Sequence, residues 1–241
     1  MTVVKPYIHS SLGKKEQVAE MFDKIAPKYD FLNHFLSFGI DKLWRRKAIR
    51  LLIKHAPKVI LDVATGTGDF AIASLKTGAE KIIGVDISEE MLAVGRTKIE
   101  KMGLGQKIFL QKGDSEELNF PDNTFDAVTV AFGIRNFENL LKGLDELYRV
   151  LKPNGVICIL EFSKPRYFPV KQIYRFYSFY ILPFLGRLFS KDNSAYSYLP
   201  ESVEQFPDGI ELLNLLADSH FTQVRQFRQT FGVATIYTGL K

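Results

Sequence analysis

The chain has 241 residues, 46% of them hydrophobic and 24% charged, with a net charge of +5, values ordinary for a globular protein long enough to bury a large core. A single cysteine, Cys158, rules out an internal disulfide framework and, with no secretory apolar segment at the N-terminus and no ~18-residue apolar run, points to the cytoplasm. The basic excess suits contact with anionic lipid or nucleic acid, and solubility explains it equally well.

In chain order, Val18, Met21, Phe22 and Ile25 fall on one face and predict a helix over 14–25. Pro27 interrupts it, a second short helix is expected over 29–38, Gly39 breaks again, and Asp41 is expected to cap a third helix running to about His55. Strand and helix then alternate. Strands are expected at 59–63, 81–86, 108–112, 125–131 and 155–162, with helices near 69–77, 89–101 and 140–151. Alternation of this kind predicts a parallel sheet with helices on both faces. A helix over 209–219 follows, and two runs at 224–230 and 233–240, turned at Phe231-Gly232, read as an edge hairpin that mixes the strand directions. Cys158 sits inside the apolar run 155–160 and reads as a core thiol.

The stretch 164–206 does not belong to the sheet. It is crowded with aromatics, and Ile173, Phe176, Tyr177, Tyr180 and Ile181 form an apolar helical stripe that Pro183 should stop or kink. Arg166, Lys171, Arg175, Arg187 and Lys191 are interspersed with rings that run on to Phe189 and Tyr198. Apolar and basic faces together suit an interfacial segment that takes a lipid tail from a membrane. The whole reads as one domain over 1–241, with a helical cap over 1–56 and this aromatic-basic insertion over 164–206.

The first strand carries the strongest functional signal. Val59-Ile-Leu-Asp62 runs straight into Gly66-Thr67-Gly68 and an apolar helical segment from Asp69. A buried strand feeding a tight glycine turn at a helix start is how open α/β sheets build a nucleotide pocket. With Ala71 the turn satisfies G-x-G-x-x-A, a pattern of low specificity by itself. Asp86, eighteen residues after Gly68 and at the end of the next strand, can accept both ribose hydroxyls. That combination indicates a nucleoside and does not separate NAD from S-adenosylmethionine. Two acids favour the latter: Asp62, placed to face the cationic amino and sulfonium groups, and Asp114 beside Ser115 after the third strand, placed to accept the adenine amine.

With the fourth strand Phe125-Asp126-Ala127-Val128 and the terminal hairpin, the chain resembles the class I methyltransferases. Its flanks resemble one family within them. Tyr29-Asp30-Phe31-Leu32-Asn33, then Ser37-Phe38-Gly39 and Trp44, is similar to the first signature of the UbiE/MenG quinone C-methyltransferases; Phe132-Gly133-Ile134-Arg135-Asn136 is similar to their loop after the fourth strand; Arg149 to Gly155, ending in Glu161-Phe162-Ser163-Lys164-Pro165, is similar to their second signature. Asp41 stands where many relatives carry His, Ala131 where some carry Ser, and Asn154 where Gly is usual.

The resemblance implies a Rossmann-like α/β fold with a mostly parallel seven-stranded sheet, a C-terminal antiparallel hairpin, N-terminal helices and a helical aromatic lid. It implies C-methylation of a demethylated polyprenyl quinol, demethylmenaquinol foremost, with another small or lipid acceptor as the alternative. S-Adenosylmethionine is the cofactor, held by Asp62, Gly66, Thr67, Gly68, Asp86, Asp114, Ser115 and Ala131, with no metal. Arg135 is the candidate to stabilise the quinol oxyanion, directly or through an ordered water, and Asn136 and Tyr29 to hydrogen-bond the quinol oxygens. A peripheral membrane contact and a homodimer are compatible with it. Nucleic acid is not expected as a partner: the Asp/Asn-Pro-Pro-aromatic loop of base amino methyltransferases is replaced by Ala131-Phe132-Gly133-Ile134, and the one thiol lies mid-strand.

Overall fold

The computed structural model describes residues 4–7, 9–184 and 194–241. Helices α1 (Lys14–Ile25), α2 (Tyr29–Leu36) and α3 (Ile40–Ile53) precede the sheet. There follow β1 (Val59–Val63), α4 (Asp69–Ser74), β2 (Lys81–Asp86), α5 (Glu89–Lys101), β3 (Ile108–Lys112), β4 (Phe125–Ala131), α6 (Leu140–Val150) and β5 (Leu151–Phe162). Then come α7 (Val170–Phe176), α8 (Ser194–Gln205), α9 (Ile210–Asp218), β6 (Thr222–Gln229) and β7 (Ala234–Leu240).

The strands form one seven-stranded sheet in the order β3-β2-β1-β4-β5-β7-β6. All neighbouring pairs from β3 to β5 are parallel, and β7 runs antiparallel to both β5 and β6. The expected mixed sheet with its edge hairpin is therefore present. Side chains alternate between two cores, as strand geometry requires. Leu61 and Val63 face a core closed by Leu144 and Leu147 of α6 and Leu212 and Leu216 of α9. Ile60 faces the opposite core, closed by Trp44, Ala48, Ile49 and Leu52 of α3 and by Phe70 of α4. Cys158 is in this second core, fully buried, and burial pushes its thiol up to about 12. A third cluster lies off the sheet, where Val18, Met21 and Ile25 of α1 and Leu32 of α2 meet Leu182 and Tyr198.

Two local expectations need correction. The cap of α3 is Gly39, at φ +70, and Asp41 lies inside the first turn. There its carboxylate accepts from Ser37 Oγ (2.7 Å) and pairs with Arg45 and His34, so a tertiary network took the side chain that capping would have used. Helix α7 continues into a π turn over Tyr177–Ile181, in which the Leu182 N–H donates to the Tyr177 carbonyl, and helical backbone runs past Pro183 to Phe184. The wider turn lies just ahead of Pro183, whose missing N–H would have broken a tighter ladder. Arg187, Phe189 and Lys191 lie outside the described residues. Asn154 has φ +65, the left-handed conformation that Asn tolerates in place of Gly.

Among the described residues no helix is long and apolar enough to cross a membrane.

Candidate active site

The sheet reverses its order between β1 and β4, and in open α/β sheets ligands bind at such a switch point, outside the carboxyl ends of the strands. Two cavities open there. The first, about 70 Å³, is lined by Asp86, Asp114, Ser115, Gly66, Ala131 and Asn136, among others. The second, about 30 Å³, is lined by Asp62, Thr65, Gly66, Thr67 and Ala131. Sequence spacing therefore brought seven of the eight candidate cofactor residues to one place. The eighth, Gly68, lines neither cavity. It is the cap of α4 at φ +79, and a Cβ there would point at Leu110 and Ile99. At this φ > 0 Gly is the unstrained choice for the turn.

Each acid is held by a specific set of donors. Asp62 and Thr129 are register partners on β1 and β4, which sets the Thr129 hydroxyl 2.6 Å from one carboxylate oxygen of Asp62; the Thr65 hydroxyl donates to the other at 2.6 Å. Burial outweighs both bonds and raises the Asp62 carboxyl to about 6. Asp86 accepts from the Gly66 N–H (2.7 Å) and the Ser88 N–H (2.9 Å), which orients it across the mouth of the glycine turn, while burial shifts its pKa upward. Ser88, not Asp86, caps α5. Asp114 pairs with Lys15 of α1 and accepts from the Glu116 N–H (2.9 Å). A carboxylate offers about four acceptor positions, so it keeps capacity toward the cavity. Thr67 donates to Asp30 of α2. Helices α1 and α2 thus close over the strand ends through polar contacts, with Asp23 accepting from Ser88 Oγ at 2.6 Å as a further tie.

A third cavity is far larger, about 480 Å³, and its walls are mostly apolar: Met21, Leu32, Leu36, Trp44, Tyr177 and Leu199 are among them. Tyr29 and Phe132 line all three cavities, so these two side chains mark where they meet. Burial raises the Tyr29 hydroxyl to about 12 and keeps it neutral as a hydrogen-bonding group.

Arg135 lines the large cavity and is nearly buried. Nη1 donates to Glu161 Oε1 (2.9 Å) and to the Phe132 carbonyl, and Nε donates to Ser202 Oγ (3.3 Å). No described residue hydrogen-bonds its Nη2, which leaves N–H groups for a ligand. Asn136 lines the first cavity and accepts from the Tyr198 hydroxyl at 3.1 Å. The loop carrying both is anchored by Lys14, whose Nζ donates to the Arg135 (3.0 Å) and Phe137 (2.7 Å) carbonyls. Burial, with Arg135 nearby, lowers that amine to about 8.

Sequence reasoning missed Glu161, Arg45, Thr65 and Thr129. Glu161 had a visible signal: it is a lone acid ending the apolar run 155–160 and is 0% exposed. The threonines had none, since only strand register shows which hydroxyl faces Asp62. The aromatic stripe also divides in a way periodicity did not reveal. Ile173, Tyr174 and Tyr177 line the large cavity, whereas Phe176 and Tyr180 pack against each other with tilted rings, centroids 5.5 Å apart, and are exposed.

Comparison with known proteins shows the family. The ubiE/COQ5 methyltransferase family model matches residues 11–241. A demethylmenaquinone methyltransferase of Bacteroides fragilis is 55% identical over 240 residues, 99% of this chain and 97% of that protein. A namesake in Porphyromonas gingivalis is 45% identical over 99% of this chain and 98% of that one. The ubiquinone/menaquinone biosynthesis C-methyltransferase UbiE of Geotalea daltonii is 48% identical, covering 95% and 97%. Among solved structures, a SAM-dependent methyltransferase from Thermotoga maritima shares the fold, with TM-score 0.64 at 20% identity over 92% of this chain and 99% of that chain. With a family model matched from residue 11 to the last residue and relatives aligned almost end to end, the chain belongs to the ubiE/COQ5 methyltransferase family.

Proposed function

We propose that this protein transfers a methyl group from S-adenosylmethionine to a ring carbon of a demethylated polyprenyl quinol, demethylmenaquinol foremost. One observation carries the reading: two polar cavities at the strand ends meet a large apolar one at Tyr29 and Phe132. The polar pair suits a nucleoside joined to an amino acid, and the apolar one suits a prenyl tail.

The residues fit the cofactor chemically. Asp86 would take the ribose hydroxyls, Asp114 and Ser115 the adenine edge, and Asp62 the ammonium. When bound, the cofactor supplies an electrophilic methyl. Arg135 is a permanent cation whose free N–H groups stabilise the negative charge that develops on the quinol oxygen as its proton passes to an ordered water; this favours attack by the ortho carbon, which then loses its ring proton while the hydroxyl is reprotonated, so that one proton is released overall. Tyr29 and Asn136 hold the ring, which in-line transfer requires to within a few tenths of an ångström. Incubating the protein with S-adenosylmethionine and demethylmenaquinol should yield a quinone heavier by one methyl; a mass unchanged under reducing conditions would overturn the proposal.

A contact with the inner face of an anionic membrane belongs to the same proposal. Phe38, at the wall of the apolar cavity, is 80% exposed, and Phe31 and Phe35 of α2, with Phe168, Phe176 and Phe184 at and beside α7, are exposed as well. Exposed Arg166, Lys171 and Arg175 accompany them. Exposed aromatic side chains with basic residues among them suit a lipid interface.

Two expected results concern the cofactor. Asp86→Asn keeps an acceptor for the Gly66 N–H and loses the charged partner of the ribose, so calorimetry should show affinity for S-adenosylhomocysteine falling about tenfold, ~1.5 kcal/mol. Asp62 gives a pH signature. Its folded pKa of about 6 lies above the usual 3.8, so its contribution to stability of the cofactor-free protein is fully present below pH ~4 and is lost as pH rises through ~6. The ammonium reverses that preference by requiring the ionised carboxylate. Cofactor affinity should therefore decline below pH ~6, with proton release on binding between pH 5 and 6, and Asp62→Asn should flatten both.

A further inference from the structure

The smallest of the three cavities holds a charge whose hydrogen-bonding capacity is hardly used. Arg45, on α3, lines it together with Asp62, Thr65, Gly66 and Thr67, and is 8% exposed. Its guanidinium has five N–H groups. Nη1 donates to Asp41, Nη2 stands 3.8 Å from Asp69 at ion-pair distance without a hydrogen bond, and Nε is buried with no partner among the described residues.

The two acids beside it do not depend on Arg45 alone. Asp41 also accepts from Ser37 Oγ and contacts His34 Nδ1 (2.9 Å). Asp69 accepts from Lys98 Nζ at 2.7 Å. A guanidinium placed only to neutralise these carboxylates would be expected to fork onto one of them through two N–H groups. This one instead borders a cavity with polar donors left over. Burying an N–H without an acceptor is unfavourable, so the site is incomplete until something supplies one.

We propose that Arg45 is a carboxylate-binding residue that receives the α-carboxylate of the cofactor's amino-acid end in this cavity, while Asp62 faces its ammonium. The inference rests on the S-adenosylmethionine reading above. An α-amino acid presents both charges on one carbon, so its pocket needs a cation and an anion within a few ångströms of each other. Among the residues lining this cavity, Arg45 is the cation and Asp62 is the carboxylate not already neutralised by a lysine. The assignment also gives α3 a role beyond packing: its adjacent Trp44 and Arg45 reach the strand ends, Trp44 into the core and Arg45 into the site.

The test compares two ligands by calorimetry: S-adenosylhomocysteine, and its decarboxylated analogue, which keeps nucleoside, sulfur and ammonium. The unmodified protein should prefer the carboxylated ligand by about thirtyfold, within the range of hydrogen bonds to a charged group. Arg45→Lys keeps a cation beside Asp41 and Asp69 but loses the planar donors, so the preference should shrink to about threefold or less while affinity for the decarboxylated ligand stays the same. Thermal melting of Arg45→Lys verifies folding, and the comparison in the unmodified protein needs no variant. Equal binding of the two ligands by the unmodified protein, or equal losses for both in Arg45→Lys, overturns the role of Arg45 and leaves the cofactor reading standing. Binding of neither ligand overturns the cofactor reading itself.

Discussion

Arg135→Lys should reduce turnover by about 100-fold or more, the scale set by losing one donor to a developing oxyanion, with cofactor affinity changed by less than about twofold. Lysine is the informative replacement because of Glu161. That carboxylate is fully buried, and burial pushes its pKa up while the Arg135 guanidinium opposes the shift. Arg135→Ala would leave it unpaired, at a cost of roughly 3–5 kcal/mol in stability, and would confound catalysis with unfolding. Lysine keeps a positive charge near Glu161 but cannot bond Glu161, Phe132 and Ser202 while also presenting N–H groups to the large cavity. The double variant Arg135→Ala/Glu161→Gln should recover most of the melting temperature lost by Arg135→Ala and none of its activity. Single-turnover rates and melting curves of the four proteins check this. Near-normal turnover in Arg135→Lys would make the arginine scaffold only.

The pair also shows where a sequence stops being informative. Arg135 was legible because it lies in the loop after the fourth strand that resembles the family's, and its environment was not. Glu138 and Asp126, its near neighbours in the chain, pair elsewhere: Glu138 accepts from the Lys14 backbone N–H, Asp126 from Lys152 and from the Lys58 and Val59 N–H groups. The partner of Arg135 comes instead from β5, twenty-six residues on. Strand positions were readable because buried parallel strands are continuous apolar runs, and β1 to β4 begin and end where the runs do. Which hydroxyl meets Asp62, and that Gly68 lines neither of the two cavities at the strand ends, depend on register and loop geometry that local patterning does not encode. Likewise a helical stripe has two edges, and only packing against α1, α2 and α8 decides which of them faces inward.

That division of the stripe leads to the second large effect. Ile173 borders the apolar cavity yet is 65% exposed, so a polar residue there should leave the fold intact while spoiling the cavity wall. Burying one five-carbon prenyl unit is worth roughly 3–4 kcal/mol at ~0.8 kcal/mol per carbon. Val170→Asp/Ile173→Asp should therefore raise KM for a long-tailed demethylmenaquinol by about thirtyfold or more, with KM for a tail-free analogue within about threefold and kcat unchanged for both. The outward edge predicts a different phenotype. Phe176→Ser/Tyr180→Ser should leave the tail-free reaction untouched and weaken co-sedimentation with anionic vesicles. Lys171→Glu/Arg175→Glu should weaken it further, since each basic residue at such a surface contributes ~1 kcal/mol, and binding by the unmodified protein should fall as salt is raised. The inner and outer substitutions thus separate tail capture from membrane contact. Should both sets of variants treat tailed and tail-free acceptors alike, with vesicle binding unchanged, the stripe would be serving only to hold α7 against the cap helices.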